Sequence, residues 1–388
     1  MKGEHFIEYG YVSLNKFGEE LCGDKVESVT TGGYTTVVLA DGLGSGVKAN
    51  ILSTLSSKIL CTMVSNNIPI EECIETLIQT LPVCKVRGVA YSTFSIIHVD
   101  GEGKGYLFEF DNPAAIYYHE GKSMDFDRNP LEFFGRKVYY SDLALEDGDM
   151  VVLMSDGTIH AGIGKVLNFG WTRSEIKEHL TENITPDMSA RCTAWLLAAA
   201  CNDLYMDRPG DDTTVAVLKK RPVVRVNLMV GPPVNKDMDD FYVEKFLEGE
   251  GKKVVCGGTS SLIVARYLGT EVKTSLDYVD KDVPPIGYIK GVDLTTEGVI
   301  TLRKLLELCE KYISPSDLTP KKFVKKDGAS LLAELLLEEA SHIKFFVGQS
   351  SNKAHEGLPI DTTMKLKLID RLGANLKSIG KQVEIVYV

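Results

Sequence analysis

Tyr34-Thr-Thr-Val-Val-Leu-Ala40 runs without a break into Asp41-Gly-Leu-Gly-Ser-Gly46. The first seven residues are β-branched or apolar, the pattern of a central strand. The six that follow place a carboxylate and three glycines at the strand's end. A helix should come next, because Ala49, Leu52, Leu55, Ile59, Leu60 and Met63 recur mostly at spacings of three and four. Further on, Glu71 to Leu81 reads as a short helix. Tyr91 to Val99, Gly105 to Phe110 and Ala114 to His119 read as strands broken by the hairpin signals Asp100-Gly101 and Glu120-Gly121. Val138 to Ser141, Met150 to Met154 and Thr213 to Leu218 add strands, and 173–180 and 187–204 add helices. Strands outnumber helices and are joined by tight turns, so the expected architecture is α+β: an antiparallel β-sandwich flanked by helices.

After Pro222 the rhythm changes. Val223 to Val230 and Lys253 to Cys256 read as strands, about 238–249 and Ser260 to Leu268 as helices, and Thr295 to Tyr312 as a long helix. Ala329 to Ala340, His342 to Val347, Thr362 to Ile379 and Val383 to Val388 continue the alternation, which predicts an α/β domain with a mainly parallel sheet. Lys219-Lys-Arg-Pro222 is a short polar junction. The expected domains are therefore 1–220 and 222–388, with no internal repeat. Lys321-Lys322 with Lys325-Lys326 is the only run of charge and reads as a solvated loop.

The chain has 388 residues, 44% hydrophobic and 25% charged, with a formal charge of −11, a composition that excludes a disordered or fibrous protein. Residues 1–220 hold 31 acidic and 19 basic side chains, whereas 221–388 hold 23 and 24. The acidic excess of the first part argues against nucleic acid as a partner, since phosphate backbones demand a positive stripe. It suits divalent cations. Eight widely spaced cysteines without a CxxC pair fit neither a zinc motif nor a disulfide framework, and point to a reducing compartment. The N-terminus lacks the apolar stretch of a secretion signal, and the longest apolar run, Trp195 to Cys201, is far short of the ~20 residues a membrane span needs. The expected location is the cytoplasm, with no membrane partner.

Four carboxylates of the first part stand at strand ends beside glycine: Asp24, Asp41, Asp156 and Asp211. Where a buried strand emerges, a carboxylate is held rigidly and partly desolvated, and a neighbouring glycine lets a backbone carbonyl approach a cation. Several such ends converging would make a hard oxygen cage, which magnesium or manganese prefers to sulfur or imidazole. Only His160, four residues after Asp156, lies near these motifs. Any one Asp-Gly after a strand is most often a turn, and Asp24 alone would be read so. At Asp41 the glycines followed at once by a helix add an anion-friendly array of N–H groups.

Taken together, Ala40-Asp41-Gly-Leu-Gly-Ser-Gly46, Ser155-Asp156-Gly157 after Leu145-Glu-Asp-Gly-Asp149-Met-Val-Val-Leu-Met154, and Asp211-Asp212-Thr-Thr-Val-Ala-Val217 resemble the metal-dependent Ser/Thr protein phosphatases. The similarity is to the bacterial subgroup typified by the stage II sporulation protein E phosphatase domain, over about residues 8–220. It implies two central antiparallel sheets flanked by helices, with two divalent cations, Mn2+ or Mg2+, at one edge. By this resemblance Asp41 bridges both ions and Gly42 offers its carbonyl to one. Asp156 and Asp211 complete the first ion's ligands, and Asp24 serves the second. Asp41 and Asp156 are then the catalytic carboxylates. Asp212 ranks below Asp211. Asn112 stands where many members carry Asn-Ala-Gly-His, here without the Gly and His, and Lys16 is either a loose counterpart of a phosphate-gripping arginine or a surface lysine.

The implied reaction is hydrolysis of a phosphoprotein monoester by metal-activated water, in which the ions acidify water and offset phosphoryl charge. No enzyme nucleophile is needed, so Cys22 reads as a structural thiol. His160 reads either as a proton donor to the leaving alkoxide or as a histidine that happens to lie near the site. The expected substrate is a Ser/Thr-phosphorylated protein in bacterial signalling. A catalytically silent phosphoprotein-binding scaffold and a hydrolase of small phosphate esters are the alternatives. In the second part, Gly257-Gly258-Thr259-Ser260 after a strand offers N–H groups to a small anionic ligand, or else Thr259 or Ser260 merely caps a helix. Val230-Gly-Pro-Pro233 and Gly348-Gln-Ser-Ser-Asn352 are similar loops.

Overall fold

The computed structural model describes residues 4–80, 92–133, 135–274, 283–314, 327–350 and 362–388. Leu81, Cys84, Tyr91, the lysines at 321, 322, 325 and 326, and Ser351-Asn352 lie outside them. The chain forms two compact units, one up to Pro222 and one from Val223 through its described residues.

The first unit runs β1 (His5–Leu14), β2 (Asp24–Thr31), β3 (Tyr34–Gly42), α1 (Gly46–Ser65), α2 (Ile70–Thr80), β4 (Ser92–Asp100), β5 (Lys104–Phe110), β6 (Ile116–His119), β7 (Lys122–Met124), β8 (Asn129–Phe133), β9 (Arg136–Ala144), β10 (Met150–Met154), α3 (Asp156–Ile159), α4 (Arg173–Asn183), α5 (Ala190–Leu204) and β11 (Thr213–Pro222). Two antiparallel sheets result, β1-β11-β10-β6-β7 and β2-β3-β4-β5-β9-β8.

Period-two alternation builds four layers from these strands. On β10, Val151 and Leu153 face the other sheet, where they meet Val37 and Leu39 of β3. Met150, Val152 and Met154 face α4 and α5. On β3, Val38 and Ala40 face α1 and α2. Both strands are buried on both sides, which is why they read as continuous apolar runs. Four strands that the sequence pattern left unread, β1, β2, β7 and β8, complete the sheets. β2 is joined to β3 through Gly32 (φ 59°) and Gly33 (φ 83°), the two-residue positive-φ loop that suits the twist of a hairpin.

Helix α1 corrects one expectation. Leu52, Ile59, Leu60 and Met63 pack against the sheet, but Leu55 lies outside with 45% of its surface exposed. Ser53, Ser56 and Ser57 are fully buried in its place, their hydroxyls bonded to carbonyls of the preceding turn. Small residues let α1 lie close over β3, as Gly42 shows: a Cβ there would sit 2.1 Å from the Ala49 carbonyl oxygen.

The second unit contains β12 (Arg225–Val230), α6 (Asp239–Glu248), β13 (Lys252–Cys256), α7 (Gly258–Tyr267), β14 (Lys273–Thr274), β15 (Gly287–Tyr288), β16 (Leu294–Thr296), α8 (Val299–Ile313), α9 (Gly328–Ala333) continuing as a π-turn to Glu339, β17 (His342–Val347), α10 (Thr362–Ser378) and β18 (Gln382–Tyr387). The long helix expected from Thr295 starts only at Val299. Thr295 and Thr296 belong instead to β16, and Glu297-Gly298 turns the chain. The sheet order is β14-β15-β16-β13-β12-β17-β18, parallel from β16 to β18 and antiparallel at β14 and β15. One face is covered by α6 and α7, the other by α8, α9 and α10. Among the described residues no helix is long and apolar enough to cross a membrane.

Leu153→Ala should open a cavity between the two sheets of the first unit and cost about 2–5 kcal/mol, since the side chain is 1% exposed. Both tryptophans, Trp171 and Trp195, lie in this unit, so a urea titration followed by their fluorescence reports its unfolding. An unchanged midpoint would contradict the layered core.

Candidate active site

Alternation also decides where the carboxylates point. Asp41 shares the face of Val37 and Leu39, and Asp24 shares that of Val26, so both turn into the gap between the sheets at its rim. They are direct partners in the β2–β3 register. Asp156 starts α3 immediately beyond β10, and Asp211 and Asp212 immediately precede β11. β10 and β11 are neighbours, so these acids arrive at the same rim from the other sheet.

Each acid has its own surroundings. Asp24 is 3% exposed. Its Oδ2 accepts a hydrogen bond of 2.7 Å from Ser155 Oγ, while its Oδ1 is buried with no partner. Ser155 Oγ also accepts from the Thr214 N–H at 2.8 Å. One hydroxyl thus ties the rims of both sheets together. Asp41 is half-buried, with Asp24 and Asp156 as its acidic neighbours. Carboxylates gathered this closely repel one another, so the cluster favours protons or positive charge among them.

The electrostatics agree. Burial and the neighbouring Asp212 and Asp156 push the Asp24 carboxyl well above the usual range, and burial with the charges of Asp24, Asp156 and Asp211 does the same for Asp41. Burial and Asp211 raise Asp156, against the opposing pull of His160. Oxygen atoms of Asp156 and Asp211 and a nitrogen of His160 lie within 4.8 Å of one another, a spacing that a single ion could satisfy. His160 Nδ1 is 3.9 Å from Asp156 Oδ2 and 46% of its side chain is exposed.

Asp211 and Asp212 face different ways. Asp212 is 4% exposed; its Oδ1 accepts from the Lys16 N–H at 3.0 Å and its Oδ2 is buried without a partner. A Cβ on Gly23 would be 2.7 Å from that Oδ2. Lys16 Nζ, at 3.6 Å from Asp211 Oδ1, is a cationic side chain at the acidic rim. Gly42 donates its N–H to Gly23 at 3.1 Å. Gly157 has no room for a side chain, since a Cβ there would sit 2.1 Å from the Asp212 carbonyl oxygen.

Asn112 is 8% exposed and stands one step back. It accepts from Thr93 at 2.5 Å and donates to Ser95 at 3.1 Å, and Thr93 is the β4 partner of Asp41. Burial and the charges of Asp24 and Asp212 push the Cys22 thiol strongly upward, which keeps it protonated and poorly nucleophilic. Among the described residues the seven cysteines are unbridged. Ser155 was missed as a site residue in the sequence; its parity with Val151 and Leu153 was the signal available. The loop Gly257, Gly258, Thr259 and Ser260 belongs to the other unit. There Gly257 is the N-cap of α7, and Thr259 and Ser260 lie inside the helix, so neither of them caps it.

Comparison with known proteins follows this geometry. The family model for stage II sporulation protein E (SpoIIE) matches residues 31–221. No curated protein matches the chain. Among solved structures, the phosphatase domain of the cell-fate determinant SpoIIE from Bacillus subtilis is 19% identical, with a TM-score of 0.44, covering 57% of this chain and 95% of that one. RsbX in complex with magnesium is 20% identical, with a TM-score of 0.39, covering 57% and 98%. The serine/threonine phosphatase of S. agalactiae is 16% identical, with a TM-score of 0.41, covering 55% and 99%. Residues 31–221, within the N-terminal unit, thus match a stage II sporulation protein E domain.

Proposed function

We propose that the N-terminal unit is a Mn2+- or Mg2+-dependent protein phosphatase that hydrolyses phosphoserine or phosphothreonine monoesters on a signalling protein. The observation that carries this reading is the convergence of Asp24, Asp41, Asp156 and Asp211 at one rim, with buried oxygens of Asp24 and Asp212 lacking any partner. Orphaned carboxylate oxygens amid mutually repelling acids fit a site built for divalent cations. When bound there, the cations would supply Lewis acidity, lowering the pKa of water and offsetting charge on the phosphoryl oxygens.

The chain's own residues do the rest. Asp41, with Asp24 and Asp156 as its acidic neighbours, would be a central carboxylate holding the cations. Asp156 and Asp211 would hold one of them and Asp24 the other, with Ser155 fixing the orientation of Asp24. Gly42 is packed on Ala49 so closely that its backbone can approach a cation without a side chain intervening. Lys16 presents an ammonium to an incoming phosphate, and His160 offers a ring nitrogen to the leaving oxygen. Unbridged cysteines suit the reducing cytoplasm. The unit from Val223 onward reads as a separate ligand-sensing or docking module.

Asp41→Asn should lower turnover of a phosphoserine peptide in manganese buffer by about a hundredfold or more, with the circular dichroism spectrum unchanged. Retained turnover would sink the assignment. The same peptide without manganese, in chelator, should not be turned over by the wild type. A silent scaffold would bind it and leave it intact with or without metal.

Metal-free stability gives a second check. Asp24 and Asp41 hold protons in the folded protein that they release on unfolding, because their folded pKa values are raised. Their contribution therefore falls as pH rises from the ordinary carboxylate range toward neutrality and beyond. In chelator, the wild type should melt at lower temperature at pH 8 than at pH 6, and Asp41→Asn should narrow that difference. Equal slopes for both proteins would argue that the carboxylates do not repel one another.

A further inference from the structure

The second unit has a strand order, β16-β13-β12-β17-β18, in which the sheet grows to one side of β12 and then to the other. Ligands of such sheets sit at the carboxyl ends of the strands, about the point of reversal. Here glycine follows three of those ends, at Gly231, Gly257 and Gly348, and Gly298 lies two residues past β16. The loop after β12 continues Gly231-Pro232-Pro233. Two prolines remove the N–H groups that a pyrophosphate would need, so the first crossover is unsuited to a dinucleotide.

The next crossover is different. β13 enters α7, ten residues long, through Gly257 (φ 117°), with no side-chain cap and no acid in the first turn. Gly258 and Thr259, the first two residues of α7, are exposed. Ser260, in the same turn, is 1% exposed and its Oγ has no hydrogen-bond partner. Its Cα–Cβ bond tilts toward the helix start. A Cβ built on Gly257 would lie 3.7 Å from that Oγ, which places the hydroxyl at the open end of the helix.

Helix α8 begins alongside. Gly298 is its N-cap, again with no side-chain cap and no acid in the first turn, and Thr301 is fully buried with an unpartnered Oγ1. A Cβ on Gly298 would be 3.5 Å from Gly257 Cα, so the two helix starts abut with no side chain between them. At the rim, Glu297 is exposed, and its Oε1 would be 3.9 Å from a Cβ on Gly258. Toward the reversal point, Lys365 is 9% exposed and its ammonium donates to the Gly348 carbonyl at 2.5 Å and the Ser350 carbonyl at 3.4 Å. Among the described residues it meets no carboxylate.

The geometry points to a binding site, at the start of α7, for a small phosphate monoester that carries free hydroxyl groups, a nucleoside monophosphate or a sugar phosphate. The helix starts, which no side chain caps, and the buried Ser260 hydroxyl are donors for phosphate oxygens. Glu297 is an acceptor for hydroxyls and would repel a phosphate placed against it, which fixes the ligand's direction. Lys365 adds positive charge at the same edge of the sheet. This site is independent of the acidic rim of the first unit.

Calorimetric titration of the full chain in chelator, which leaves the phosphatase site without metal, tests it. AMP and ribose 5-phosphate should bind, and adenosine should not. Binding of AMP alone would identify a nucleotide, and binding of both a sugar phosphate. Thr259→Asp places a carboxylate at an exposed first-turn position where it suits the helix, so the fold should survive. It should weaken binding about tenfold or more by repelling the phosphate. Ser260→Ala should weaken it less, and Asp41→Asn should leave it unchanged. No heat from either phosphorylated probe at millimolar concentration, or equal binding by Thr259→Asp, would overturn the site.

Discussion

Asp24 and Asp41 face one another across a single rung of an antiparallel ladder, in a place from which water is largely excluded. Like charges directly opposed in a sheet repel, and burial disfavours ionisation further. Nothing in β2 and β3 by themselves would hold that pair together. It is held because Val26, Val37 and Leu39, on the same faces, are locked against Val151, Leu153, Ala216 and Leu218 of the other sheet. The sandwich core, which gains from burial, fixes a rim that loses from it. Asp156 and Asp211 add to the repulsion from the second sheet, and the tight packing at Gly23, Gly42 and Gly157 removes any slack by which the acids could move apart. A rim so constrained gains stability when protons or cations occupy it, which is what the proposed metal-dependent chemistry would draw on.

That link explains what could be read from the sequence. Asp41, Asp156 and Asp211 stand out because each ends or precedes a run that is apolar on both faces, and such runs are the easiest strands to recognise. Asp24 was legible only through glycine and the family resemblance, since the strand it begins, Asp-Lys-Val-Glu-Ser-Val-Thr-Thr, is half exposed and mixes polar residues with few apolar ones. β1 escaped for a similar reason: Glu8, buried within it, bonds the Ala190 N–H and pairs with Arg221, partners more than 180 residues distant. Leu55 was misplaced because the inner face of α1 is lined with serines, and hydrophobic spacing cannot register a face whose hydroxyls are satisfied by its own backbone. Ser155 was hidden as well, for its role depends on bonds to Asp24 and Thr214, one in each sheet.

In the second unit the reading failed where two elements touch without a turn signal of the usual kind. Leu-Thr-Thr before Glu297-Gly298 looks like the start of the amphipathic stretch that follows it, yet Thr295 and Thr296 pair with Val255 and Cys256. A three-residue parallel strand has too few residues for a period of its own. Its identity comes from the neighbouring strand, through the sheet.

Charge counting misleads about the two units in opposite directions. The acidic total of the first part overstates its field once the cluster at the rim shares protons or cations. The near-neutral total of the second part understates what its edge can do. Amide N–H groups at the starts of α7 and α8 and the hydroxyls of Ser260 and Thr301 carry no formal charge, yet aligned at a helix terminus they act on an anion as a partial positive charge would. The ammonium of Lys365 at that edge is buried against carbonyl oxygens. It is offset in the sum by carboxylates on the surface, whose fields dissolved salt screens beyond about 10 Å. A count of ionisable residues registers anion affinity when lysines and arginines supply it. It is blind to affinity built from the backbone, and there glycine at a strand's end is the better sign.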